Sequence, residues 1–254
     1  MKPLKVLAML VSILLFGIGC SQELLDQLLQ KESEAEIDYE TLGMLLAHIC
    51  YDSVDLVFEQ TVDAEGFSWE TSVTNQPFAI YRLIESGKIQ ETGSGTYSFE
   101  HTTLKLTALV TNFEINFQGD VTLKDENDRT IGSLKKGGKI TVSDYTLQAE
   151  FAQNQNDPNH FSPSKITVSN YAISGSATVD LKDSAYKDGT LKFENNFKLP
   201  SVTITMQDPY SVGNVTVPDT WTGKITFAGE DVTKTVIDEF KWILPEVIER
   251  ESED

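Results

Sequence analysis

The chain has 254 residues, of which 40% are hydrophobic, 9% aromatic and 23% charged; this fills a core, argues against wholesale disorder and fits a single β-rich domain in length. Its 20 basic and 39 acidic residues leave a formal net charge of −19. Such a field repels polyanions, which argues against nucleic acid as a partner and against adhesion of the protein surface to an anionic bilayer, while it favours solubility and cationic partners.

The first twenty residues, MKPLKVLAMLVSILLFGIGC, carry Lys2 and Lys5, then an apolar run from Val6 to Ile18 broken by one serine, then small residues ahead of Cys20. This is the pattern of an export signal. The run is too short for the roughly 20 residues of a permanent membrane span, so a cleaved leader is expected. Gly17-Ile18-Gly19-Cys20 resembles the lipobox of bacterial lipoproteins, with small Gly19 next to the cysteine and Gly17 where that family usually has leucine. The resemblance implies a signal peptide over residues 1–19 and lipidation of Cys20 by fatty acyl groups such as palmitate. It also implies a membrane anchor at the new N-terminus, since two or more acyl chains hold a protein stably to a bilayer. Ser21 stands where the enterobacterial inner-membrane retention signal has Asp, so by the same resemblance the address is the cell envelope at the outer membrane, on its periplasmic or its surface face.

Beyond Cys20 the chain keeps one cysteine, Cys50, so no disulfide forms within the mature chain and stability comes from packing. Residues 20–37 read as a lipidated tether, with Leu24, Leu25, Leu28 and Leu29 at helical spacing over 21–35. A single β-rich domain is expected over 38–254. It opens with a helix at about 38–58, where Leu42, Leu45, Leu46, Ile49, Val54 and Leu56 are apolar and Cys50 reads as a small buried hydrophobe. From about Phe67 to Phe227, Thr, Val, Ile and aromatics dominate between turn clusters such as Thr92-Gly93-Ser94-Gly95 and Lys136-Gly137-Gly138, which signals strands. An amphipathic helix at about 231–250 carries Val232, Val236, Ile237, Phe240, Ile243 and Leu244 on one face.

Within the strand region a segment recurs: KITVSDYTLQAEF from Lys139 and KITVSNYAISGSATV from Lys165, offset by 26 residues. Its core, an Asx, an aromatic, any residue and an aliphatic, starts at Asn112, Asp144, Asn170 and Asn196, and Gly223 to Phe227 looks like a degenerate fifth start. In the first three copies the apolar alternation slips by one residue at the Asx: Ile140 and Val142 have even numbers, Tyr145, Leu147 and Ala149 odd. A β-bulge keeps one face buried through such a slip and bends the strand; a two-residue hairpin does the same, but these sites lack the glycine that tight hairpins favour. The fourth copy, LKFENNFKL, shows no slip. The expected fold is mainly β with flanking α helices (α+β). It is a curved antiparallel meander of roughly eight to ten strands, a barrel or half-barrel built from ~26-residue repeats, with a helix against its open face. Phe113, Tyr145, Tyr171 and Phe197 are then a core ladder.

Chemistry leaves few traces. There is no G-x-S-x-G, and the S-x-x-K matches at Ser133, Ser162 and Ser184 lack their companion motifs. His48, His101 and His160 are scattered, with no H-E-x-x-H. Asp125-Glu126-Asn127-Asp128 begins like a calcium loop, but Arg129 and Lys136 take ligand positions, and Asn154 to His160 reads as a solvated turn. We therefore expect no catalytic residue, no metal site and no cofactor. The expected function is that of a non-catalytic cell-envelope lipoprotein whose sheet and helix bind a hydrophobic ligand, a lipid for instance, or a partner protein. Its architecture is similar to the half-barrel lipoprotein carriers and receptors of Gram-negative envelopes, a resemblance of address and strand plan that implies an apolar cavity between sheet and helix. The alternatives are a surface adhesin or glycan-binding module with a solid core and, less favoured, an envelope hydrolase with a carboxylate pair.

Overall fold

The computed structural model describes residues 35–60, 66–74, 88–124, 129–153, 161–208 and 211–252. The leader, Cys20, the tether helix up to its last residue, the segment 125–128 and the turn 154–160 lie outside the described residues. The chain divides into two compact units, Met1–Glu36 and Ile37–Asp254, and every described helix and strand belongs to the second.

Helix α1 spans Tyr39–Gln60. Asp38 caps it: one carboxylate oxygen accepts from the Thr41 amide at 3.0 Å and the other from the Thr41 hydroxyl at 2.7 Å, satisfying a donor that the first turn leaves without a helical partner. Among the described residues eleven strands follow: β1 (Gly66–Thr74), β2 (Lys88–Glu100), β3 (Lys105–Phe117), β4 (Val121–Lys124), β5 (Thr130–Leu134), β6 (Lys139–Gln153), β7 (Phe161–Leu181), β8 (Gly189–Asp208), β9 (Ser211–Thr216), β10 (Thr222–Phe227) and β11 (Glu230–Asp231). Helix α2, Thr233–Ser252, closes the described chain and runs through Pro245. The helices expected at 38–58 and 231–250 thus form within two residues of those bounds.

All pairings are antiparallel, in the order β1-β2-β3-β6-β7-β8-β10-β11. The β4–β5 hairpin is inserted between β3 and β6 and joins the sheet through β5, which continues the edge of β7 at Val179–Leu181, beyond the reach of β6. Strand β9 shares the outer edge of β8 with β10, pairing its last residues. The path does not close on itself: among the described residues β1 pairs only with β2 and β11 only with β10, so the sheet is open and the closed barrel among the expected forms is corrected. Closure needs every strand edge to find a neighbour, and here both end strands keep one edge outside the ladder.

β6 and β7 run as single strands through Asp144 and Asn170, so no hairpin forms there. Both Asx residues are exposed and hold left-handed backbone, φ 51° and 60°, and each is left out of the register between Ser143 and Thr146 on β6 and between Ser169 and Ala172 on β7. The side chains on either side, Val142 and Tyr145, Val168 and Tyr171, all point into the core. Asn112 is different, because its φ is not left-handed; there Thr111 is the extra residue opposite Ser94 and Gly95, and its hydroxyl donates to the Ser94 carbonyl at 3.0 Å. The missing slip on β8 also has a physical reason. Asn195 and Asn196 are both left-handed, φ 55° and 56°, so the phase slips twice and Phe193 and Phe197 keep the same parity, both buried. Gly175 accompanies the register shift between β7 and β8 at φ 102°; a Cβ there would lie 2.1 Å from the Lys139 carbonyl oxygen.

One sheet face is apolar and the other polar, with cross-strand ion pairs such as Lys105–Glu150 at 3.2 Å and Lys224–Glu194 at 3.2 Å and a Lys139–Glu114 pair. Phe113, Tyr145, Tyr171 and Phe197 are buried in one core cluster that includes both helices. Both helices pack on the apolar face: α1 buries Leu46, Ile49 and Val57, and α2 contacts β9, β10 and α1. The two helices come so close at Gly43 that a Cβ there would sit 2.5 Å from Glu239 Cβ. The start of α2 is tied to β10, where Thr233 Oγ1 accepts from the Ile225 amide at 2.8 Å.

Candidate functional site: an apolar cavity at the helix C-termini

Two tyrosines fix α1 on the sheet. The Tyr145 hydroxyl donates to the Ser53 carbonyl at 2.6 Å and the Tyr171 hydroxyl to the Ile49 carbonyl at 3.0 Å. Ser53 Oγ donates to the Cys50 carbonyl at 2.8 Å and lies 2.8 Å from the Tyr171 hydroxyl, so two hydroxyl protons serve three contacts. The tyrosine rings meet edge to face, centroids 5.6 Å apart. Tyr145 and Tyr171 follow the left-handed Asx residues directly, so the slips in β6 and β7 aim both phenols at one stretch of helix. Burial raises the pKa of both phenols well above the ordinary tyrosine range, so they stay neutral donors.

Next to this anchor lies a cavity of about 340 Å³, at the lower end of ligand-site volumes, roughly 300–1,000 Å³. From α1, Cys50, Tyr51, Val54, Asp55 and Phe58 line it; the sheet contributes Phe151 of β6, Pro163 and Ile166 of β7 and Ile204 of β8; α2 contributes Leu244 and Ile248. The wall is continuous with an aromatic ledge: Phe58 and Phe99 each meet Phe151 edge to face, at 6.3 Å and 5.9 Å. Phe99 and Phe161 are 37% and 47% exposed, so apolar surface runs from the cavity out to solvent.

The chemistry such a lining supports is retention of an apolar group. Cys50 is fully buried, and burial pushes its thiol up to about 12, against the smaller lowering by the Tyr171 hydrogen bond. At neutral pH it is a thiol, not the thiolate that nucleophilic attack needs. Among the described residues, no group of three or more His, Cys, Asp or Glu is placed to hold a metal ion.

Of the residues weighed for chemistry in the sequence, Cys50 lines the cavity, together with Val54 and Leu244, which the sequence pattern makes apolar helix positions. His48 is buried on α1, and His101 lies in the turn after β2 with its ring 5.0 Å from that of Phe99; His160 lies outside the described residues. Ser133, Ser162 and Ser184 stand on β5, on β7 and in the turn after β7, three separate segments. Cys20 lies outside the described residues. Sequence reasoning did not single out Phe58, Phe151, Ile166, Ile204, Leu244 and Ile248 as one site, and no local signal joins them, because they come from five elements. Compared with protein-family models, curated proteins and solved structures, the chain finds no match. Among the described residues, no helix is long and apolar enough to cross a membrane.

Proposed function

We propose that this chain is a non-catalytic cell-envelope lipoprotein, anchored through acylated Cys20 and placed at the outer membrane, whose folded unit holds a hydrophobic ligand between sheet and helices. One observation carries the ligand reading: a cavity of about 340 Å³ whose lining is aliphatic or aromatic apart from Cys50 and Asp55. A solidly packed interior, as an adhesin or glycan binder working through its loops requires, would leave no such space. The anchor rests on the run Val6–Ile18 followed by Gly19-Cys20. In the same reading the sheet is a half-barrel around α1, built by repetition of one bent strand. Its support is that the four Asx sites fall on β3, β6, β7 and β8, neighbours in the sheet, and bulged strands curve.

Two measurements test this. Intact-mass analysis of the chain made in an exporting bacterium is expected to find residues 1–19 removed and acyl mass on Cys20, and a chain that keeps Met1 ends the envelope reading. Organic extraction of the purified protein is expected to release an apolar molecule beyond the acyl groups of Cys20. Val54→Phe, which fills the cavity, is expected to lose it while circular dichroism stays that of the wild type. A wild-type extract empty of any such molecule, together with no uptake of decanol, ends the ligand reading.

A further inference from the structure

We infer that the cavity selects a single-chain amphiphile with a cationic head, an alkylamine in chemical class, over the equivalent fatty acid. The inference rests on the proposed ligand-binding role and adds what the ligand's head must be. Volume sets the chain count. An engineered cavity of about 150 Å³ takes one benzene, so about 340 Å³ has room for one alkyl chain of roughly a dozen carbons and not for the paired chains of a phospholipid.

Charge sets the head. The lining residues of α1 run from Cys50 to Phe58 of a helix ending at Gln60, and those of α2 are Leu244 and Ile248 of a helix ending at Ser252. Phe58 stands in the last turn of α1 and Ile248 one turn before the last residue of α2, so the cavity reaches toward the carbonyl end of each helix. Each such end carries about half a negative charge, which attracts cations and repels anions. No basic residue in the last turn of α1 offsets this. The last turn of α2 reads Glu249-Arg250-Glu251-Ser252, two acids against one base. The cavity wall itself has the carboxyl of Asp55 and neither lysine nor arginine. A carboxylate head at this mouth meets negative potential from two helix ends inside a chain of net charge −19; an ammonium head meets the opposite. The greasy chain goes inward past Phe58 and Phe151, and the head stays at the wet edge where the aromatic ledge ends.

The test is calorimetric titration of the full chain, held by its anchor in phosphatidylcholine nanodiscs and blanked against empty nanodiscs, with decylamine, decanol and decanoate at pH 7. Expected is binding in that order of affinity, with decylamine at least about tenfold tighter than decanoate at low salt, and a gap that narrows as salt screens the mouth. If all three bind and decanoate equals or exceeds decylamine, the charge selection is overturned and the ligand-binding role stands. If none binds, both fall. Retention of all three by a folded Val54→Phe variant would also overturn the inference, because binding would then lie elsewhere.

Discussion

Replacing Asn170 by valine separates two accounts of β7 that predict opposite signs. Asn170 is exposed, with φ 60°, so the change leaves core packing untouched and acts on the backbone. Holding an ordinary L-residue in the left-handed region costs about 1–2 kcal/mol, a cost that Asn and Asp lessen through local hydrogen bonds and that β-branching makes worse. Valine at 170 should therefore destabilise the protein by about 1–2 kcal/mol, which for a chain of this size lowers the thermal midpoint by roughly 2–8 °C. In a regular strand the same exposed change would be neutral or stabilising by up to about 1 kcal/mol, since valine suits a pleated surface better than asparagine does. Asn170→Gly is the control: with no Cβ it accepts the left-handed backbone, and its midpoint should stay near that of the wild type. The assay is thermal and urea unfolding followed by circular dichroism, with the urea slope unchanged because the same surface is exposed. A valine variant as stable as the wild type, or a glycine variant that falls as far as valine, would refute the account of the left-handed backbone at Asn170.

Tyr171→Phe removes the hydroxyl that meets both the Ile49 carbonyl and Ser53. It should cost about 1–3 kcal/mol of stability in urea unfolding, the range for losing one partner of a buried hydrogen bond; an unchanged midpoint would show that the phenol does not hold α1. The Cys50 thiol should resist maleimide at pH 8 in the native protein and react once urea unfolds it, and native labelling at the rate of a free cysteine would contradict its burial. Because burial raises the Cys50 pKa from 9.0 to about 12, the fold favours the protonated thiol. That contribution is whole below pH 9 and is lost as pH rises from 9 towards 12. Cys50→Ala should flatten the fall of the thermal midpoint just above pH 9, before the unfolded tyrosines ionise near pH 10 and the buried phenols of Tyr145 and Tyr171 add the same sign; an unaltered curve would disprove the linkage.

The phase slips of β6 and β7 were legible in sequence because they are local. A left-handed residue leaves an odd step in the alternation of core residues, and Val142 with Tyr145, like Val168 with Tyr171, records that step within four letters. The helices were legible for the same reason, since an apolar stripe at helical spacing is a property of twenty neighbouring residues. Even so, a local reading misses a double slip: Asn195 and Asn196 restore the parity that a single left-handed residue breaks, so the altered backbone of β8 leaves no mark on its alternation.

The candidate site depended on what no stretch of sequence contains. Phe58, Phe151, Ile166, Ile204 and Ile248 are ordinary core letters in their own segments, and they enclose a space only because the fold brings α1, β6, β7, β8 and α2 around it. Whether the sheet closes is equally non-local, for it turns on whether the first and last strands find each other's edges. Residue order by itself determined both helices, the core face and the burial of Cys50, while Glu91-Thr92-Gly93-Ser94-Gly95, which reads as a turn, runs inside β2, where pairing to β3 holds it extended. Tertiary structure alone decided that the sheet stays open and that both helices line one apolar cavity with it, because an empty volume is set by where separate elements stand and not by the chemistry of any one of them.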